Sequence, residues 1–180
     1  MFYTGIGARL TPEDILETMK AIAGSLAADG YILRSGGAGG ADSAFEDGCD
    51  HANGSKEIYL PWKDFNDNTS DLYKPSDEAF EIAKKIYGNR WEFLNSAVRA
   101  LMARNIHQVM GDALDTKSMF VVCWTPDGCT TAKNRGSGTG GTGQAIAYAD
   151  SMSIPIFNLA NEKDHNRLKE YIKTIGVMEW

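Results

Sequence analysis

The sequence predicts an α/β protein of three layers, a mainly parallel sheet flanked by helices in a Rossmann-like order. Three observations lead there. Short strand-like apolar runs alternate with stretches of helical period in the order β α β α β α α β α β α, a pattern that a parallel sheet covered on both faces satisfies. The run Ser118 to Trp124, SMFVVCW, is continuously apolar, as a strand buried on both faces must be. Two strand-to-helix connections are rich in glycine, and in such sheets ligands bind beyond the C-terminal strand ends, where the strand order reverses.

Taken in order, the first strand runs from Phe2 to Ile6 and turns at Gly5 to Arg9. A helix follows, with Thr11 as N-cap, Pro12 in its first position and Glu13 and Asp14 at the positive end of its dipole. Ile15, Met19, Ile22, Ala23 and Leu26 form its apolar stripe, and Gly30 ends it. Tyr31 to Arg34 make the second strand, and LRSGGAGGADSA (Leu33 to Ala44) delivers the chain into a helix from Gly40 to Ala52 with Ala41, Ala44, Phe45, Gly48 and Cys49 on its apolar face. Glu57 to Leu60 make the third strand, stopped by Pro61.

The aperiodic, acidic stretch after Trp62 reads as a long surface excursion. Two helices then follow, Ser76 to Tyr87 and a longer one from Arg90 to Met110, parted at Gly88-Asn89. In the longer one Trp91, Leu94, Val98, Leu101 and Val109 form an apolar stripe interrupted by Asn105, with Arg104 at its edge. A buried amide needs partners, so Asn105 either ties down backbone or faces a polar pocket. After the strand Ser118 to Trp124, the loop TPDGCTTAKNRGSGTGGTGQA carries Lys133 and Arg135 and enters a helix near Gly143. Its length and cations suit a lid over a ligand, and disorder would read the same. Ile154 to Asn158 make the last strand, and Asn161 caps a final helix carrying Leu168, Tyr171, Ile172 and Ile175.

Composition narrows the function classes. The 180 residues are expected to form one domain, residues 1–180. A net charge of −6 disfavours nucleic acid held by bulk electrostatics. No apolar run approaches the roughly 20 residues that span a bilayer, and the N-terminus lacks the basic segment of a secretory leader. No membrane association and a cytoplasmic location are therefore expected. Cys49, Cys123 and Cys129, an odd number without a zinc-type pair, read as reduced thiols. Cys49 and His51 read as a core thiol and a surface imidazole, and no metal site is expected.

The site is expected where the glycines gather. Gly36, Gly37, Gly39 and Gly40 allow consecutive N–H groups to converge ahead of a helix N-terminus, a natural seat for phosphate. The spacing matches neither GxGxxG nor a P-loop, and a tight turn without a ligand is the alternative. Asp42 is either an acceptor for ribose hydroxyls or a first-turn acid that complements the helix dipole, and Glu46 is its neighbour four residues on. Arg9, in the first turn, meets a ligand anion or faces solvent. Trp62 stacks on a base or anchors the core edge.

SGGAGGAD with the downstream Ala103-Arg104-Asn105, an apolar strand and GGTGQA (Gly140 to Ala145) resembles the SLOG superfamily, over about Met1 to Leu159. That superfamily groups the Rossmannoid domain of DNA-processing protein A with Lonely Guy phosphoribohydrolases and small stand-alone nucleotide-binding proteins. The resemblance implies a nucleotide or nucleotide-derived ligand and no required cofactor. Together with the reading of the residues above, it gives as expected binding residues Gly7, Arg9, Ser35, Gly36, Gly37, Ala38, Gly39, Asp42, Trp62, Arg104, Asn105, Gly140, Gly141, Thr142, Gly143 and Gln144. It also implies a homodimer. The Lonely Guy branch cleaves the N-glycosidic bond of nucleoside monophosphates with a glutamate in PGGxGTxxE. Here Thr139 stands for the proline and Gln144 for the threonine, and no glutamate follows in the segment, so Asp42 and Glu46 are the candidate catalytic carboxylates. The DNA-processing branch implies single-stranded DNA, for which Arg104, Lys133 and Arg135 are the cations.

Overall fold

The computed structural model describes residues 1–177. Five strands, β1 (Phe2–Gly7), β2 (Ile32–Ser35), β3 (Lys56–Ile58), β4 (Val121–Trp124) and β5 (Ile156–Asn158), pair in parallel in the order β3-β2-β1-β4-β5. They alternate with α1 (Glu13–Ala28), α2 (Ala41–His51), α3 (Asp77–Tyr87), α4 (Ser96–Met110), α5 (Thr142–Ser151) and α6 (Glu162–Thr174). The fold is Rossmann-like α/β, as the alternation predicts. The chain builds outward from β1 to β3 and then returns to the other side of β1 for β4. The strand order therefore reverses between β1 and β4, where Gly7 pairs with Trp124 at the C-terminal edge.

Successive β4 residues point to opposite faces of the sheet, which is why its run is continuously apolar. Val122 joins Tyr3, Leu33, Phe120 and Phe157 on the face packed against Met19 and Ile22 of α1, Phe45 of α2 and Leu168 and Ile172 of α6. Val121 and Cys123 join Ile6 and Ile156 on the face packed against Ala83 of α3, Ile106 of α4 and Ile146 of α5. Each fully buried large side chain contributes about 1.5–3 kcal/mol. These two cores hold the C-terminal edge of the sheet between helices whose ends converge on it.

Three expectations are corrected. Thr11 is not the N-cap of α1: its hydroxyl donates to Ala8 O (2.7 Å), and the Pro12 carbonyl accepts the first helical bonds, from Ile15 and Leu16. The long helix begins at Ser96 rather than Arg90, because Asn95 Oδ1 accepts from Val98 N (2.9 Å) and starts a new helix after a 3-10 segment from Gly88 to Phe93. Trp91 and Leu94 still reach the same core, from outside α4. Asn161 precedes α6 without capping it by its side chain, whose amide donates instead to Gly128 O and to Asp164. No helix among the described residues is long and apolar enough to cross a membrane.

Candidate functional site

A cleft of about 710 Å³ opens at the C-terminal ends of β1 and β4, at the reversal of strand order. The turn after β1, the start of α2, one face of α4 and the glycine turn before α5 surround it.

Asp42, in the first turn of α2, is 3% exposed and central to the wall. Its Oδ1 accepts from Gly7 N (3.2 Å), while Oδ2 accepts from Ala38 N (3.3 Å) and from Arg104 NH1 (3.3 Å). One carboxylate thus joins the end of β1, the glycine turn and α4. Arg104 reaches Asp42 by crossing directly over Gly36, where a Cβ would fall 1.1 Å from NH1. With its amide oxygen turned toward them, Gln108 accepts from Arg104 NH1 (2.9 Å) and Gly36 N (3.0 Å), and its nitrogen donates to Asn105 Oδ1 (2.9 Å). Asn105 Nδ2 in turn donates to Gly141 O (3.0 Å). Arg104, Asn105 and Gln108 of α4 therefore link the two glycine-rich turns through one buried network.

Burial pushes the Asp42 carboxyl above the ordinary aspartate range, partly opposed by Arg104 and by the N–H groups of Ala38 and Gly7. Arg104 is 6% exposed, and its Nε–H is buried without an acceptor. A buried donor left unmatched carries a desolvation cost. Opposite it, Gly140, Gly141 and Thr142 bring the positive end of α5 to the cleft, with Gly140 at φ +59°. Leu10, Leu101, Met102, Trp124 and Pro126 supply apolar surface.

Of the residues singled out from sequence, Gly7, Arg9, Ala38, Asp42, Arg104, Asn105, Gly140, Gly141 and Thr142 line this cleft. Ser35 and Gly36 lie buried, with Ser35 Oγ donating to Gly5 O (2.7 Å). Gly37, Gly39 and Glu46 border a separate concavity of about 480 Å³, which Arg9 also touches. There Glu46 is held by Lys56 Nζ (2.9 Å) and Asn68 Nδ2 (3.1 Å), so the two candidate carboxylates do not face one cleft. Gly143 and Gln144 face a third concavity, across the Gly140–Gly141 turn. Trp62 stands outside the cleft, edge-on to Phe65 at 5.1 Å. Sequence reasoning missed Gln108 and Leu10. Gln108 had a signal, standing four residues after Arg104 on the same helix. Leu10, 89% exposed, had none.

The loop from Thr125 to Thr139 is fastened at several points. Asp127 accepts from the hydroxyls of Thr125 (2.8 Å) and Thr139, and Asn158 Nδ2 donates to Thr125 Oγ1 (2.7 Å) and Cys129 O (2.9 Å). Against the desolvation it suffers, the bonds from Thr139, Thr125 and Cys129 N hold the Asp127 carboxyl below its ordinary range.

Comparison with protein-family models, with curated proteins and with solved structures finds no match to this chain.

Proposed function

We propose that the chain binds a nucleotide or nucleotide-derived small molecule in the cleft between β1 and β4. The observation that carries the reading is the buried Arg104 Nε–H without an acceptor, on the wall of a cleft that the positive end of α5 also borders. An anionic group of the ligand would meet Arg104, the start of α5 and Arg9 at the rim. Asp42 and Asn105 would meet sugar hydroxyls, and Leu10, Met102 and Trp124 offer surface for a base. This role for the apolar wall replaces Trp62, which lies outside the cleft. The same residues support placing the chain among the small stand-alone SLOG proteins. Thermal shift and calorimetry against a panel of mononucleotides, cyclic nucleotides and ADP-ribose-type molecules test the reading. Saturable binding that Arg104→Gln weakens is expected, and no response to any member would refute it.

One observation favours a second reading, cleavage of the N-glycosidic bond of a nucleoside monophosphate. Asp42 lines the cleft with its carboxyl raised by burial, the condition of a carboxyl that holds or gives a proton. Glu46 is turned away, so this reading rests on Asp42 alone. Chromatography would detect free base released by wild type and not by Asp42→Asn. Intact monophosphates after prolonged incubation would leave binding alone.

A further inference from the structure

Beyond the cleft, on the far side of the Gly140–Gly141 turn, lies a concavity of about 420 Å³ whose wall carries Arg90 and Arg135 and no carboxylate. In a chain of net charge −6 that is an uncompensated positive spot. Arg90 is exposed and makes no ion pair or hydrogen bond among the described residues. Arg135 is steadied by two backbone carbonyls, its Nε donating to Ala132 O (3.3 Å) and its NH2 to Ile86 O (3.4 Å), neither of which neutralises it. Asp127, which accepts from the Thr139 hydroxyl, also accepts from the Thr125 hydroxyl and Cys129 N and does not line the concavity.

An independent feature of the same concavity points to a ligand. Gln144 lines it, is 2% exposed, and donates through Nε2 to Ala83 O (2.8 Å), while its Oε1 is buried with no donor. Two exposed arginines offer donors, and the buried Gln144 Oε1 lacks one. A singly protonated phosphoryl group brings both, its oxygens for the guanidinium groups and its P–O–H for the amide oxygen.

The concavity and the cleft share Met102, Thr139, Gly140 and Gly141 as a common wall. That wall is low: a Cβ at Gly140 would meet nothing within 4 Å, and one at Gly141 only Met102 Cε at 3.5 Å. We propose that the concavity is a second phosphoryl subsite continuous with the cleft, so that the ligand is a nucleoside 5′-diphosphate or a molecule built on one. Its inner phosphoryl group lies at the start of α5 and its outer one between Arg90 and Arg135. This inference rests on the nucleotide reading of the cleft.

Calorimetry with the four ribonucleoside 5′-monophosphates and the four corresponding diphosphates tests it, on wild type, Arg90→Gln and Arg90→Gln/Arg135→Gln. For the preferred base the diphosphate is expected to bind about tenfold more tightly, about 1.4 kcal/mol. The double variant brings the ratio of the two affinities to about one. Arg90→Gln alone, which breaks no hydrogen bond, lowers the ratio about threefold. Monophosphates that bind as tightly as diphosphates, or a ratio that survives both substitutions, would overturn the inference and leave the cleft reading standing. If no nucleotide of either kind binds, the inference falls, while the cleft reading is decided by the wider panel that includes cyclic nucleotides and ADP-ribose-type molecules.

Discussion

The two glycine-rich turns resemble each other in sequence and do opposite work. In the first, Ser35 to Ala41, the backbone is committed internally. Ala38 N donates to Asp42 and Gly36 N to Gln108, Gly36 lies under the Arg104 guanidinium, and a Cβ at Gly40 would fall 2.5 Å from Arg9 O. In the second, Gly140 has open space beside it, Gly141 meets only Met102 Cε at 3.5 Å, and both stand at the cleft. Asp42 already fills the anion's place in the first turn, and the second is left to receive one. A glycine run marks close approach, and the approaching group here is protein in one case and solvent-accessible space in the other.

The largest test of that contrast is Asp42→Ala, which leaves Arg104 buried and unpaired and is expected to cost about 3–5 kcal/mol in urea unfolding. A variant as stable as wild type would mean that the first turn is not held by this pair. Gly36→Ala forces Arg104 and Gln108 aside and is expected to cost about 1–3 kcal/mol. Gly140→Ala sharpens the comparison from the other side. Its positive φ costs about 1 kcal/mol of stability, while the methyl group at the cleft wall is expected to lower nucleotide affinity about tenfold, about 1.4 kcal/mol. A Gly140→Ala variant that keeps wild-type nucleotide affinity would erase the distinction between the turns.

The smallest effect concerns pH. Asp127, below its ordinary value of 3.8, adds stability that is present above that value and lost as pH falls through its lowered one. Because Asp127 is exposed, this amounts to less than about 0.5 kcal/mol. Asp42, raised above the same ordinary value, has the opposite sign: stability is fullest in acid and declines as pH rises through its raised value. Urea midpoints of wild type, Asp127→Asn and Asp42→Asn from about pH 3 to about pH 6 would show the two differences sloping in opposite directions. Parallel slopes would contradict the assignment.

Much of this was legible in the chain itself. Strand and helix alternation is a local property, since apolar periodicity is read within a dozen residues, and the sheet follows from it. Asn105 was recognisable as a misplaced amide on an apolar face, and its partner proved to be the Gly141 carbonyl. What misled was also local: a helix stripe that continued through Trp91 and Leu94 concealed the fresh start at Asn95. Glu46 and Asp42 are neighbours along α2, yet Lys56 and Asn68 draw Glu46 to a different surface.

By itself, then, the sequence determined the layers, the parallel sheet and the segments that meet at its C-terminal edge, because burial and backbone hydrogen bonding constrain each segment where it stands. Only the tertiary structure decided which donors stay free. Asp42 lies far along the chain from Arg104 and Gln108, and whether a backbone N–H is spent on the protein or kept for a ligand depends on partners that folding alone brings within reach.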